Sequence, residues 1–197
     1  MRIFCLDLEG VLVPEIWIET AKRFKMDSLK LTTRDIPDYD KLMKYRIGIL
    51  KKAGIRLKDI QGVIAKMHPL PGAAVFLDRL RKAGSVIILS DTFTEFAGPL
   101  TEKLGRPALF CNHLITGKSG FITGYKLRMK DGKRNAVETF RKLNFKVCAA
   151  GDSYNDLTML AAANRGIFFR PPDSIRKAHR RFPAVYSHSA LLKALTS

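Results

Sequence analysis

Short unbroken apolar runs alternate along the chain with longer stretches whose apolar residues recur at helical spacing. The short runs cover residues 3–8, 85–89, 146–150 and 166–169, with a further one at 184–187, and they end in polar or acidic residues. Continuous apolar character of this length reads as strands buried on both faces of a sheet. The intervening stretches at 71–82, 95–104, 134–143, 155–163 and 189–195 read as helices; in the first, Val75, Leu77 and Leu80 fall near helical spacing and Gly84 closes the element. Strands alternating with helices predict an α/β fold, a parallel sheet built from right-handed βαβ units.

Two segments break the alternation. Residues 14–70 hold no convincing strand but carry helical patterns at 17–24, 39–52 and 57–67. The expectation is a core of residues 1–13 and 71–197, with residues 14–70 inserted after the first strand as a small helical cap. Residues 109–127 hold two short β-like runs around Gly117-Lys118-Ser119-Gly120, which predicts a hairpin.

Ligands of open α/β sheets bind beyond the carboxyl ends of the strands. Asp7, Ser90-Asp91 and Asp152 stand at three such ends. Asp7-Leu8-Glu9-Gly10 places two acids two residues apart, facing one side of a strand or converging at a bend. Such a pair can divide into an ionised nucleophile and an acid–base group, although one motif alone also reads as an exposed acidic turn. A hydroxyl after a buried strand, Ser90, can bond a phosphate oxygen or simply cap a helix. Lys133, in Lys130-Asp131-Gly132-Lys133-Arg134, can neutralise a phosphoryl group. In Gly151-Asp152-Ser153-Tyr154-Asn155-Asp156, aspartates at i and i+4 straddle a strand-to-helix turn. They offer hard oxygen ligands for magnesium, with helix capping as the plain alternative.

Composition narrows the classes. With 46% hydrophobic and 27% charged residues, the 197-residue chain suits one globular fold plus an insertion, and no apolar run approaches a membrane span. The amino-terminal apolar run is too short and too soon acidic for a signal peptide, so a cytoplasmic protein is expected. Three widely spaced cysteines and four scattered histidines form neither a disulfide framework nor a zinc pattern. The +17 charge would attract nucleic acid, but equally phosphorylated metabolites.

Acid pair, hydroxyl, lysine and acidic loop occur in that order, and at this point the chain resembles the haloacid dehalogenase-like phosphatase superfamily, in its phosphoserine phosphatase branch. The runs D-L-E-G-V-L-V-P-E, I-L-S-D-T-F and G-D-S-Y-N-D, and residues 32–40 of the insertion, look like the bifunctional members that also transfer phosphate to homoserine. The resemblance implies a Rossmann-like core, with Asp7 as phosphorylated nucleophile and Glu9 as acid–base group. Glu9 and the Asp91-Thr92 pair after Ser90 match that bifunctional branch; most superfamily phosphatases have aspartate at the first position, and many phosphoserine phosphatases have two glycines at the second. The resemblance further implies that Ser90 and Lys133 hold the phosphoryl oxygens, with Asp91 and Asn155 also at the substrate. Magnesium would be held by Asp7, the Glu9 carbonyl and Asp152, supported by Asp156. In the cap, Glu15 would face the substrate ammonium and Arg46 its carboxylate, with Met43 one turn away behind it. Phosphoserine is the implied substrate and homoserine an acceptor. Another small phosphomonoester, or nucleic-acid binding on a degenerate version of the fold, are the rival readings; a homodimer is left open.

Overall fold

A computed structural model describes residues 1–32, 35, 36 and 38–197; Thr33, Arg34 and Pro37 of the family-like stretch 32–40 lie outside the described residues. Its strands are β1 (Arg2–Leu6), β2 (Ser85–Phe93), β3 (Ala108–Thr116), β4 (Ile122–Lys126), β5 (Lys146–Gly151), β6 (Arg165–Phe169) and β7 (Ala184–Val185). They form one sheet in the order β4-β3-β2-β1-β5-β6-β7. Every pairing is parallel except β3 with β4, the antiparallel hairpin expected around Gly117. Successive strands are added to one side of β1 and then to the other, so β1 is the switch point and its carboxyl end opens a crevice.

The helices are α1 (Ile16–Phe24), α2 (Tyr39–Lys52), α3 (Leu57–Ile64), α4 (Ala73–Arg81), α5 (Thr94–Lys103), α6 (Gly132–Lys142), α7 (Leu157–Ala162), α8 (Asp173–Ala178) and α9 (His188–Thr196). Along β1 the side chains alternate between two buried clusters. Phe4 and Leu6 join one with residues of α4, α5 and α9, and Ile3 and Cys5 join the other with residues of α6, α7 and α8. Both faces of the sheet are therefore covered, which is why its strands read as unbroken apolar runs. Trp17, Met43, Leu50 and Ile60, on the helices between β1 and α4, belong to the first cluster too. The insertion shares its apolar contacts with the rest of the chain.

Several elements differ from the sequence expectation. β1 stops at Leu6 rather than residue 8, because the chain turns as Leu12 and Val13 both donate to the Leu8 carbonyl. β2 runs on to Phe93, with a register shift after Leu89. The helix expected over 155–163 is a single 3-10 turn at Tyr154–Asp156 followed by α7. α3 ends at Ile64, and Val75 is exposed while Phe76, Leu77 and Leu80 form the buried face of α4. α8 was absent from the periodicity because its six residues bury a single Ile175.

Candidate active site

The backbone of Asp7 donates to the Ala150 carbonyl at 2.9 Å, which holds this residue beyond β1, against β5. The turn that follows needs Gly10, whose φ is +75°. A Cβ at this position would overlap the Asp152 carboxylate, so the absence of a side chain lets two strand ends bring their acids together. Gly151 does the same on the β5 side, where a Cβ would overlap Asp156.

Asp156 is fully buried and both of its carboxylate oxygens are occupied. Its Oδ2 accepts from the backbone amides of Asp152 and Ser153 at 2.9 and 3.1 Å and from Ser153 Oγ at 3.3 Å, while Oδ1 meets Lys133 Nζ at 2.8 Å. It therefore positions the acidic loop and the lysine. Lys133 lies in the first turn of α6, and its ammonium also reaches Asp7 Oδ1 at 3.0 Å and Asp91 Oδ2 at 3.6 Å. Burial alone would drive the proton off this ammonium, but Asp156, Asp7 and Asp91 more than reverse that and hold its pKa well above the usual value.

Asp7 has the opposite problem. Burial raises its carboxyl well above the carboxylate range, Asp156 adds to this, Lys133 pulls back, and Asp152 and Asp91 add further repulsion. Oxygen atoms of Asp7, Asp152 and Asp156 lie within 4.8 Å of one another. Several carboxylates around a single ammonium leave negative charge in a poorly solvated place, and hard oxygen donors at that spacing fit a hard divalent cation.

Glu9 follows in the turn after β1, two residues beyond Asp7. Its Oε2 accepts from Ile16 N at 2.8 Å, satisfying one of the otherwise orphaned amides at the start of α1. Burial, then the nearby Glu15 charge, push its carboxyl up to about 8, against the pull of the Ile16 amide and Arg46. At neutral pH such a group is mostly protonated and can act as an acid.

Ser90, at the end of the apolar part of β2, has its Oγ at 3.2 Å from the Thr92 amide. Across the crevice, Arg46 comes from α2 with its guanidinium 4.5 Å from the centre of the Trp17 ring. Its Nη2 donates to the Leu31 carbonyl at 2.7 Å, and Nη1 lies 4.0 Å from the sulfur of buried Met43. Nε is buried and has no partner among the described residues. Burial lowers this guanidinium to about 10, so it stays charged.

Asp7, Glu9, Ser90, Lys133 and Arg46 face one cavity of about 300 Å³, also lined by Glu15, Asp91, Asp152 and Asn155. The volume suits a small metabolite. Asp156 and Met43 stand behind the wall, touching Lys133 and Arg46 respectively. Trp17 and Tyr39 line the cavity as well and were missed by the sequence reading. Tyr39 opens α2 and donates its hydroxyl to the Asp91 carbonyl at 3.2 Å. Both are aromatic residues in amphipathic helices, and only their placement against residues 29 and 52 positions away distinguishes them from packing.

Comparison with known proteins agrees with this arrangement. A family model for haloacid dehalogenase-like hydrolases matches residues 1–164. The chain is 52% identical over 193 residues to a phosphoserine phosphatase of Pseudomonas syringae pv. tomato, covering 98% of this chain and 81% of that protein. It is 53% identical over 191 residues to "Phosphoserine phosphatase ThrH" of Pseudomonas aeruginosa, covering 97% and 93%. A crystal structure of a phosphoserine phosphatase in apo form superposes with a TM-score of 0.80 over 98% of both chains at 21% identity, a likeness of fold.

Proposed function

We propose that this chain, which belongs to the haloacid dehalogenase-like hydrolases, dephosphorylates phosphoserine through a phosphorylated Asp7 and passes phosphate to homoserine when that acceptor is present. One observation carries the reading: two chemically distinct sets of groups line the same small cavity. Asp7, Ser90 and Lys133 suit a phosphate, and Glu15 with Arg46 suits an ammonium and a carboxylate. Phosphoserine carries all three of those groups. The names of the two relatives that match along nearly the whole chain support the same substrate.

In this mechanism Ser90 and Lys133 orient the phosphoryl oxygens while the Asp7 carboxylate attacks phosphorus. The bond to the serine oxygen breaks, and Glu9 gives that oxygen its proton. Glu9, now ionised, takes a proton from water or from the homoserine hydroxyl, which attacks the acyl-phosphate and frees Asp7. Asp7, Asp152 and the Glu9 carbonyl would hold magnesium, which when bound offsets the repulsion between the Asp7 carboxylate and the phosphate. Asp156 is left out of that set because both its oxygens are already engaged. Residues 14–70 act as a cap that brings Arg46 and Glu15 over the substrate and limits water, which favours transfer to an amino-alcohol. Three free, buried thiols at Cys5, Cys111 and Cys148 fit a cytoplasmic setting.

The deciding assay incubates the protein with phosphoserine and magnesium, with and without homoserine, and follows free phosphate and phosphohomoserine. Release of phosphate is expected in both, with phosphohomoserine forming in the second. No phosphate from phosphoserine, alongside hydrolysis of other small phosphomonoesters, would replace the substrate assignment.

Arg46→Ala tests the amino-acid end. Losing hydrogen bonds to a charged group should raise KM for phosphoserine roughly 10- to 100-fold with a smaller effect on kcat. Turnover of p-nitrophenyl phosphate, which has no carboxylate, should change little. Equal losses on both substrates would argue that Arg46 serves the fold instead.

A further inference from the structure

His188 is buried, yet nothing in the proposed chemistry uses it. It is the first residue of α9, and its ring packs against two phenylalanines. The Phe169 ring stacks on it at 4.7 Å between centroids, and the Phe76 ring lies at 5.2 Å. At its edges, Nε2 is 2.9 Å from the Val11 carbonyl oxygen and Nδ1 is 3.1 Å from the Pro71 carbonyl oxygen. These two carbonyls are far apart in sequence but equivalent in the fold. Val11 belongs to the segment by which the chain leaves β1 for the helical insertion, and Pro71 to the segment by which it returns to α4. The two segments also bond directly, Leu70 N donating to the Leu12 carbonyl at 2.8 Å.

We propose that His188 is a positioning residue for the reaction, a clasp that sets the two connecting segments relative to the sheet and so places Glu15 and Arg46 over Asp7. Both carbonyl oxygens can only accept, so a ring nitrogen holds its carbonyl by donating an N–H, and a nitrogen without a proton makes no bond to the oxygen it faces. A phenylalanine keeps the stacking but offers no donor. A buried histidine whose function were only to fill space would require neither carbonyl. Here both ring nitrogens point at backbone oxygens on the two chain crossings, and α9 supplies a fixed base, its Ser187 Oγ accepting from the Ala190 amide at 3.2 Å. Gly72 adjoins the clasp, since a Cβ there would lie 3.6 Å from His188 Nδ1. The role rests on the proposed function, because it concerns how the insertion meets a substrate that engages Glu15 and Arg46.

The test compares His188→Phe and His188→Gln with the unmodified protein on two substrates. Loss of the donor in His188→Phe should raise KM for phosphoserine about 5- to 10-fold. On p-nitrophenyl phosphate, which offers Glu15 and Arg46 neither an ammonium nor a carboxylate, kcat/KM should stay within about twofold. His188→Gln, whose amide can donate to one of the two carbonyls, should recover part of the loss. Hydrogen exchange gives an independent readout: the Leu70 amide should exchange faster in His188→Phe, while the Asp7 amide, bonded to Ala150, should not. Equal losses on both substrates, no recovery with glutamine, or unchanged exchange at Leu70 would each overturn the clasp. If the unmodified protein fails to hydrolyse phosphoserine, the substrate reading falls, and the exchange measurements still decide the role of His188.

Discussion

Asp7→Asn is expected to abolish phosphate release from phosphoserine, a loss of at least about 10⁴-fold and on the scale seen when a nucleophile is removed. The change keeps shape and size while turning the nucleophilic carboxylate into a neutral amide, whose remaining oxygen is a poor nucleophile. It should not cost the fold. Asp7 lies among Asp156, Asp152 and Asp91, whose charges oppose its ionisation, and Lys133, its cationic partner among the described residues, is shared with two of them. Neutralising it relieves repulsion as well as losing an ion pair, so the melting temperature should hold or rise. Phosphate release is measured with magnesium present, beside a thermal melt of the same sample. A variant that folds normally and retains more than a small percentage of turnover would remove Asp7 from the role of nucleophile.

Lys133→Met should act on both stability and activity. Lys133 is the ammonium that meets Asp156 at 2.8 Å and Asp7 at 3.0 Å, and all three side chains are almost out of contact with solvent. Truncating one partner of such a cluster leaves buried charge uncompensated, a loss of roughly 3–5 kcal/mol. For a chain of this size that corresponds to a fall in melting temperature on the order of 10 °C. The measurement is made with a chelator present, so that no cation stands in for the ammonium. Activity should fall as well, because the phosphoryl oxygens lose their cation. Placed on Asp7→Asn, the same change should cost less, since one of the stranded carboxylates is then neutral. A melting temperature no lower than that of an exposed control such as Lys22→Met would show the cluster contributes little.

These two predictions draw on residues that differ in how visible they are in the sequence. Asp7, Ser90 and Asp152 each follow an apolar run, and a βαβ sheet delivers such residues to a common edge. Lys133 could be suspected from its place at a helix start, but not its burial. Whether Gly10 bends the chain so that two acids converge depends on Asp152, 142 positions away, occupying the space a side chain would need. Trp17 beneath Arg46, and Tyr39 against Asp91, involve elements whose separate periodicities say nothing about each other. His188 read as one of four unplaced histidines because its partners, Val11 and Pro71, are backbone carbonyls and leave no mark in residue type.

Apart from α8, the order of elements, the covered parallel sheet, the hairpin and the set of acids at the strand ends follow from the sequence by itself. They rest on local periodicity and on a connection rule that holds for the whole α/β class. Tertiary structure alone decided which charges are buried together, how Asp156 divides its oxygens between a loop and a lysine, and how the insertion joins the core cluster. Hydrophobic pattern specifies which face of an element is buried, whereas ionisation and hydrogen bonding depend on the distances between atoms that many intervening residues bring together.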